Sequence, residues 1–206
     1  MNNNLRKITF LVITLVTLTS CTKEEDVAIA PFTPAIFKES FSVDNINFNA
    51  DFDFPGWVNF AEAGTKKWIE RDFNNSGYIQ FSSFGSGQAS NIGWAITPAI
   101  NMDDSSNEVL NFNSASNFVS DPSNKLEVLV STNFDGTNVL AATWTPLTAV
   151  VANETTNNYT YIPSGDIDLS SYNGKIYLAF KVTGSGTNTN LDGLFQVDDI
   201  KVYSKN

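Results

Sequence analysis

An all-β fold, a jelly-roll sandwich of two antiparallel sheets in a single domain, is what this 206-residue chain predicts. Three observations carry that reading. No window past Ala35 sustains a helical period, and short runs of aromatic and β-branched residues recur between clusters of Asn, Ser, Gly, Asp and Pro. Two of those runs also alternate cleanly. Residues 125–130 put Leu126, Val128 and Val130 on one face, and residues 175–182 do the same for Ile176, Leu178, Phe180 and Val182.

Before the first strand lies a segment that is not part of the fold. Arg6 and Lys7 precede an apolar run from Ile8 to Leu18 that is too short for a stable membrane anchor. It ends at Leu18-Thr19-Ser20-Cys21, with small residues beside the thiol as lipoprotein processing requires. Residues 1–20 are therefore expected to be a cleaved signal peptide and Cys21 a lipid attachment point. Cys21 is the only cysteine, so no disulfide is available to an exported form. Residues 21–34 read as an acylated tether, polar at first and then carrying two prolines.

Residues 35–206 form the expected domain. Further strands are predicted at 36–41, 57–61, 78–81, 93–97, 109–113, 143–147, 159–162 and 194–203, which makes about ten short strands and suits two packed sheets. The last run breaks its own alternation. Phe195 and Val197 share a face, whereas Ile200 and Val202 have the opposite parity, so the phase flips across Asp198-Asp199 and a β-bulge is expected there.

Composition narrows the partners and the chemistry. Loss of residues 1–20 removes Arg6 and Lys7 but no acid, leaving 10 basic residues against 22 acidic ones, a net of -12. Such a surface repels nucleic acid and anionic headgroups, so contact with a membrane is expected only through the lipid. The chain has no histidine, which excludes Ser-His-Asp and Cys-His catalysis and leaves zinc without its usual ligands. Gly85-Ser86-Gly87 is then a loop rather than a nucleophile elbow. A glycosidase needs only two carboxylates, but no spaced motif singles out a pair among Glu62, Glu70 and Asp72. A noncatalytic protein is the expectation.

Several segments, in order, resemble the cleaved-adhesin, choice-of-anchor J and MAM-like group of jelly-roll modules. They are Glu39-Ser40-Phe41, Phe54-Pro55-Gly56-Trp57, Trp68, Gly77-Tyr78, the run from Trp94 to Ile100, the run from Asp168 to Lys175, and Phe195-Gln196-Val197-Asp198-Asp199-Ile200. Residues 132–158 carry no signature of that group. Lys23-Glu24-Glu25-Asp26 resembles the acidic export signal of Bacteroidota-type surface lipoproteins, and a solvated linker is the plainer reading. The resemblance implies a binding module for extracellular glycan, beside a Sus-like uptake system on the outer membrane, or else an adhesin that binds a surface protein.

It also implies a structural calcium ion. Glu39 on the opening strand and Asp198 or Asp199 on the last would meet if those strands are neighbours, with carbonyls or water completing a shell of six to eight oxygens. The plainer reading leaves Asp198 in solvent and Asp199 at the bulge. For sugar stacking, Trp57 and Trp94 read as core, which leaves Trp68 and Trp144 as the candidate ligand-binding rings. The Asn-rich stretches at Asn74-Asn75, Asn157-Asn158 and 188–190 can serve either as hydroxyl partners or simply as turns.

Overall fold

A computed structural model describes residues 35–205; Cys21, the signal segment and the tether lie outside them. The described chain is an all-β sandwich of two antiparallel sheets. Its strands are β1 (Ala35–Glu39), β2 (Val58–Ala63), β3 (Ile69–Phe73), β4 (Ser76–Ser82), β5 (Asn91–Ile96), β6 (Ile100–Asn101), β7 (Glu108–Asn117), β8 (Lys125–Ser131), β9 (Thr145–Pro146), β10 (Ile162–Pro163), β11 (Ile167–Asp168), β12 (Lys175–Gly184) and β13 (Leu194–Ser204). One sheet runs β10-β7-β13-β4-β3, with β11 also on β7 and β1 also on β13. The other runs β2-β5-β12-β8-β9, with β6 on β12.

Alternation decides what each strand buries. Leu126, Val128 and Val130 of β8 and Ile176, Leu178, Phe180 and Val182 of β12 all face the space between the sheets, as their period of two requires. From the other sheet come Ile79, Phe81, Leu110, Phe112, Phe195, Val197, Ile200 and Val202. Phe112 meets Phe180 edge to face across the gap, with ring centres 5.1 Å apart.

Sequence reading missed the two-residue strands β6 and β11 and, more consequentially, β3. It pairs with β4 from Ile69 opposite Gln80 to Phe73 opposite Ser76. The hairpin turns at Asn74 and Asn75, whose φ angles of 50° and 65° are those of a two-residue turn that Asn tolerates. The stretch between β1 and β2 folds back along this edge. Asn59 donates to the carbonyls of Phe52 (2.9 Å) and Trp68 (2.8 Å) and accepts from the Trp68 N–H. The Glu70 carboxylate accepts from the Asn47 N–H and the Asp53 N–H. So held, Phe41, Phe52 and Phe54 close over the end of the core, and Trp68 is fully buried with them.

The phase flip in β13 is a bulge, as its sequence implies. Register with β7 shifts between Asp198 and Lys201, and Asp199 has φ 52°. The bulge marks a change of partner along one edge: residues 194–197 pair with β4, and residues 200–203 pair with β1. Where the two partners abut, the chain after β1 crosses β4 at Gly77. A Cβ on Gly77 would stand 1.8 Å from the Phe41 carbonyl oxygen, so only glycine fits. Asp198, partly buried at this junction, accepts from the Asp199 N–H. Burial, with the Asp199 charge adding to it, pushes the Asp198 carboxyl up from 3.8 to about 6, against the Asp199 N–H, Ser76 and Lys201, which pull it down.

The region without family signature, 132–158, is the side wall of the sandwich. It leaves the second sheet at β9, lays Leu147, Ala149 and Val151 against the core, and reaches the first sheet at β10. The Ala152 N–H ends on Ser114 Oγ at 2.9 Å, and Ser116 Oγ donates to the Asn153 carbonyl.

Two outcomes follow from the crossing and the bulge. Gly77→Ala forces its methyl into a backbone oxygen and is expected to destabilise the domain by roughly 3 kcal/mol in urea unfolding; a loss under about 0.5 kcal/mol would contradict the close approach. Because the folded state holds the Asp198 proton more tightly than the unfolded chain does, stability falls as pH rises from 3.8 to about 6 and is level above. Asp198→Asn should therefore be more stable than the parent at about pH 8 and show no such gain at about pH 3.5. An equal gain at both would remove charge as the cause.

Candidate functional site

The two outer faces of the sandwich differ. On the β2-β5-β12-β8-β9 sheet, Trp94, Ile96, Leu129 and Ala179 are covered by Phe134, Val139, Ala142 and Trp144 from the loop after β8. Trp144 lies 5.4 Å from the Trp94 ring and donates its indole N–H to the Val139 carbonyl at 2.9 Å. Trp94 in turn donates to Glu62 Oε2 at 2.8 Å, the oxygen that also sits 3.2 Å from Lys181 Nζ. Lys181 stands 4.6 Å over the Trp94 ring. The rings, the acid and the cation on this face saturate one another.

The opposite face is open. Phe195 and Val197 point inward, so Gln196 between them points out, level with Gln80 of β4, which is level with Ile69 of β3. Gln196 Nε2 donates to Gln80 Oε1 at 3.0 Å, and this amide pair divides two depressions. One, of about 670 Å³, has Ile69, Ser82 and Leu194 in its lining, with Lys66, Lys67, Phe84, Phe118 and Asp192 around them. The other, of about 500 Å³, is bounded by Arg71, Phe73, Tyr78, Tyr159, Tyr161 and Gln196.

Aromatic rings stand in solvent at both ends. Phe84 and Phe118 are 71% and 67% exposed, and Phe73 and Tyr159 are 69% and 56% exposed. Their loops are fixed by hydrogen bonds: the Phe84 N–H donates to Ser82 Oγ, the Phe118 N–H to Asn158 Oδ1, and the Tyr159 N–H to the Ser116 carbonyl. Phe118 and Tyr159 both adopt positive φ, 59° and 57°, which turns the chain sharply at these two positions. Tyr161 meets Tyr78 edge on at 6.4 Å. Burial, then the nearby Asp198 charge, pushes the Tyr161 hydroxyl up, so it stays a neutral donor at the pocket wall.

Of the residues singled out from sequence, Trp68 is corrected. It is wholly inside, 5.9 Å from Phe81, because the returning 41–57 segment covers it, and it offers no face to a ligand. Trp144 is half-buried against Trp94 and Phe134 on the closed face. The Asn stretches act in turns, Asn188 Oδ1 accepting from the Asn190 N–H and Asn158 Oδ1 from Phe118. Glu62 and Glu70 are each committed to structural partners.

Glu39, Asp198 and Asp199 do lie on neighbouring strands, with Glu39 opposite Ile200. Glu39 Oε1 accepts from the Phe41 N–H at 2.8 Å, and Asp199 Oδ2 accepts from Asn113 at 3.2 Å. Among the described residues no three acids, histidines or cysteines converge on one point, so a calcium ion here would take most of its six to eight oxygens from backbone carbonyls and water.

Sequence reading missed Arg71, Phe84, Phe118, Tyr159 and Tyr161. The signal available was an aromatic residue inside a polar turn cluster, where no core claims it, as at Phe84 before Gly85-Ser86-Gly87.

No curated protein matches the sequence significantly. Among solved structures, the K2 cleaved adhesin domain of Lys-gingipain matches at 15% identity over 82% of this chain and 99% of that one, with a TM-score of 0.52. The K1 domain of Lys-gingipain from Porphyromonas gingivalis W83 gives 16% identity over 82% and 98%, with a TM-score of 0.49. A CBM22-2 xylan-binding domain from Paenibacillus barcinonensis gives 13% identity over 83% and 100%, with a TM-score of 0.45. The match to K2 is one of fold. A family model described as a domain of unknown function, DUF5017, covers residues 69–205, from β3 through β13, and the chain belongs to that family.

Proposed function

We propose that this chain is a noncatalytic surface lipoprotein, anchored through Cys21 in the outer membrane, that captures extracellular glycan on the open face of the β10-β7-β13-β4-β3 sheet. The observation that carries the reading is the pair of depressions with solvent-facing rings at both ends and the Gln80–Gln196 amides between them. Pyranose C–H faces stack on aromatic rings, and fixed amides and hydroxyls take the sugar hydroxyls, so apolar walls with a few oriented polar groups suit such a ligand. The rings are held by hydrogen-bonded loops on a rigid sheet, which lowers the entropy lost on binding. Placement beside a Sus-like uptake system belongs to the same proposal.

A second reading, adhesion to a surface protein, is favoured by one feature: Phe73, Phe84 and Phe118 are exposed and carry no polar handle. Binding of a polysaccharide panel to the purified protein tests the choice. Phe84→Ala and Tyr159→Ala are each expected to weaken glycan binding roughly tenfold, about 1.4 kcal/mol, with the melting temperature unchanged because both rings lie outside the core. Glycan binding that survives both substitutions would move the site elsewhere, and binding to a protein but no glycan would favour adhesion.

Structural calcium at Glu39, Asp198 and Asp199 stands as a separate proposal with its own test. Melting with calcium and with chelator should differ by several degrees, and Asp199→Ala should abolish the difference. Superimposed curves would remove the ion.

A further inference from the structure

Among the described residues Arg71 pairs with no carboxylate, in a protein rich in them. It is the only arginine in residues 35–205 of a chain with 22 acidic residues. The ion pairs among the described residues are Lys67 with Asp51, Lys125 with Glu127, Lys181 with Glu62 and Lys205 with Asp166, and none of them uses Arg71. Its guanidinium lies 4.4 Å over the Phe48 ring, and Nη1 donates to Asn49 Oδ1. Nε is buried without an acceptor. A planar cation clamped on one side by a ring and at one corner by an amide has little freedom left to lose, and Arg71 bounds the depression together with Tyr78, Tyr159 and Tyr161.

The guanidinium fork matches a carboxylate, which it binds through two parallel hydrogen bonds, and it is more weakly hydrated than an ammonium. The same wall carries further positive charge: Lys66 and Lys67, just before β3, line the neighbouring depression, and Lys66 forms no ion pair among the described residues. In a molecule that is acidic overall, Arg71 and Lys66, without carboxylate partners among the described residues and both on the β3 side of the two depressions, favour an anionic ligand there.

We propose that the groove takes an acidic glycan, with the carboxylate of a uronic acid residue seated on Arg71 and its ring against the tyrosines of the same pocket. This rests on the glycan reading above. Asp192 borders the first depression, and Asp198, with Asp199, Lys201 and Ser76 around it, lies near enough to Tyr161 to act on it electrostatically; both acids oppose the ligand when charged.

The test measures binding of the purified protein, at low salt, to oligogalacturonate, alginate oligomers and hyaluronan oligomers. Each is paired with its methyl-esterified form, and a set of neutral oligosaccharides is included. At least one acid form should bind about tenfold or more tightly than its ester, a difference that salt screens. Arg71→Gln should erase that preference, and Arg71→Lys should restore only part of it, since an ammonium keeps the charge but loses the fork. Equal binding of every acid and its ester by the parent protein overturns the inference without reference to any variant, as does an Arg71→Gln protein that keeps the preference. If neutral oligosaccharides bind and no acid form does better, only the uronate assignment falls. If no glycan of either kind binds, the glycan reading falls and takes this inference with it.

Discussion

Strand β13 has to satisfy two partners along a single edge, and the fold depends on how it does so. Its first residues hydrogen-bond to β4 and its last to β1. A straight strand would keep one side-chain phase throughout, yet Phe195 and Val197 before the junction and Ile200 and Val202 after it must all reach the same core. One extra residue at Asp198-Asp199 resolves the conflict. Gly77 completes it, since the chain leaving β1 passes over β4 at a separation that admits no side chain. The partly buried Asp198 is the electrostatic consequence of that geometry.

The sheets were legible in the sequence wherever a strand buries one face. β8, β12 and the flip in β13 follow from alternation alone, because a period of two is what a half-buried strand imposes. Where burial comes from a distant segment, local pattern fails. Lys66-Lys67 before Trp68 suggests an exposed ring, but Asn59 and Glu70 draw the 41–57 segment over it. β3 was missed for a related reason: Arg71 and Phe73 face outward from a strand whose inward Glu70 serves backbone N–H groups instead of the core. The groove itself has no linear signature, since its rings come from the ends of β4 and β7 and from the approach to β10.

The stretch from β8 to β10 does two jobs in succession. First it seals the outer face of one sheet with Phe134, Val139 and Trp144; then it crosses the side of the sandwich to deliver Tyr159 and Tyr161 to the outer face of the other. The same segment therefore closes one face and furnishes the other. Single-sided openness is a property of this segment rather than of the sandwich, and lengthening or trimming it would alter the groove while leaving the paired sheets in place.

The pairing of β1 with the tail of β13 bears on mechanical load. Ala35, the first residue of β1, is bridged to Tyr203, and the pairing continues to Glu39 opposite Ile200. Tension applied at Ala35 along the strand axis, as between the proposed anchor and a polymer held on the groove, falls on these cross-strand bonds together instead of peeling them one by one. Shear of this kind resists far greater force than unzipping does.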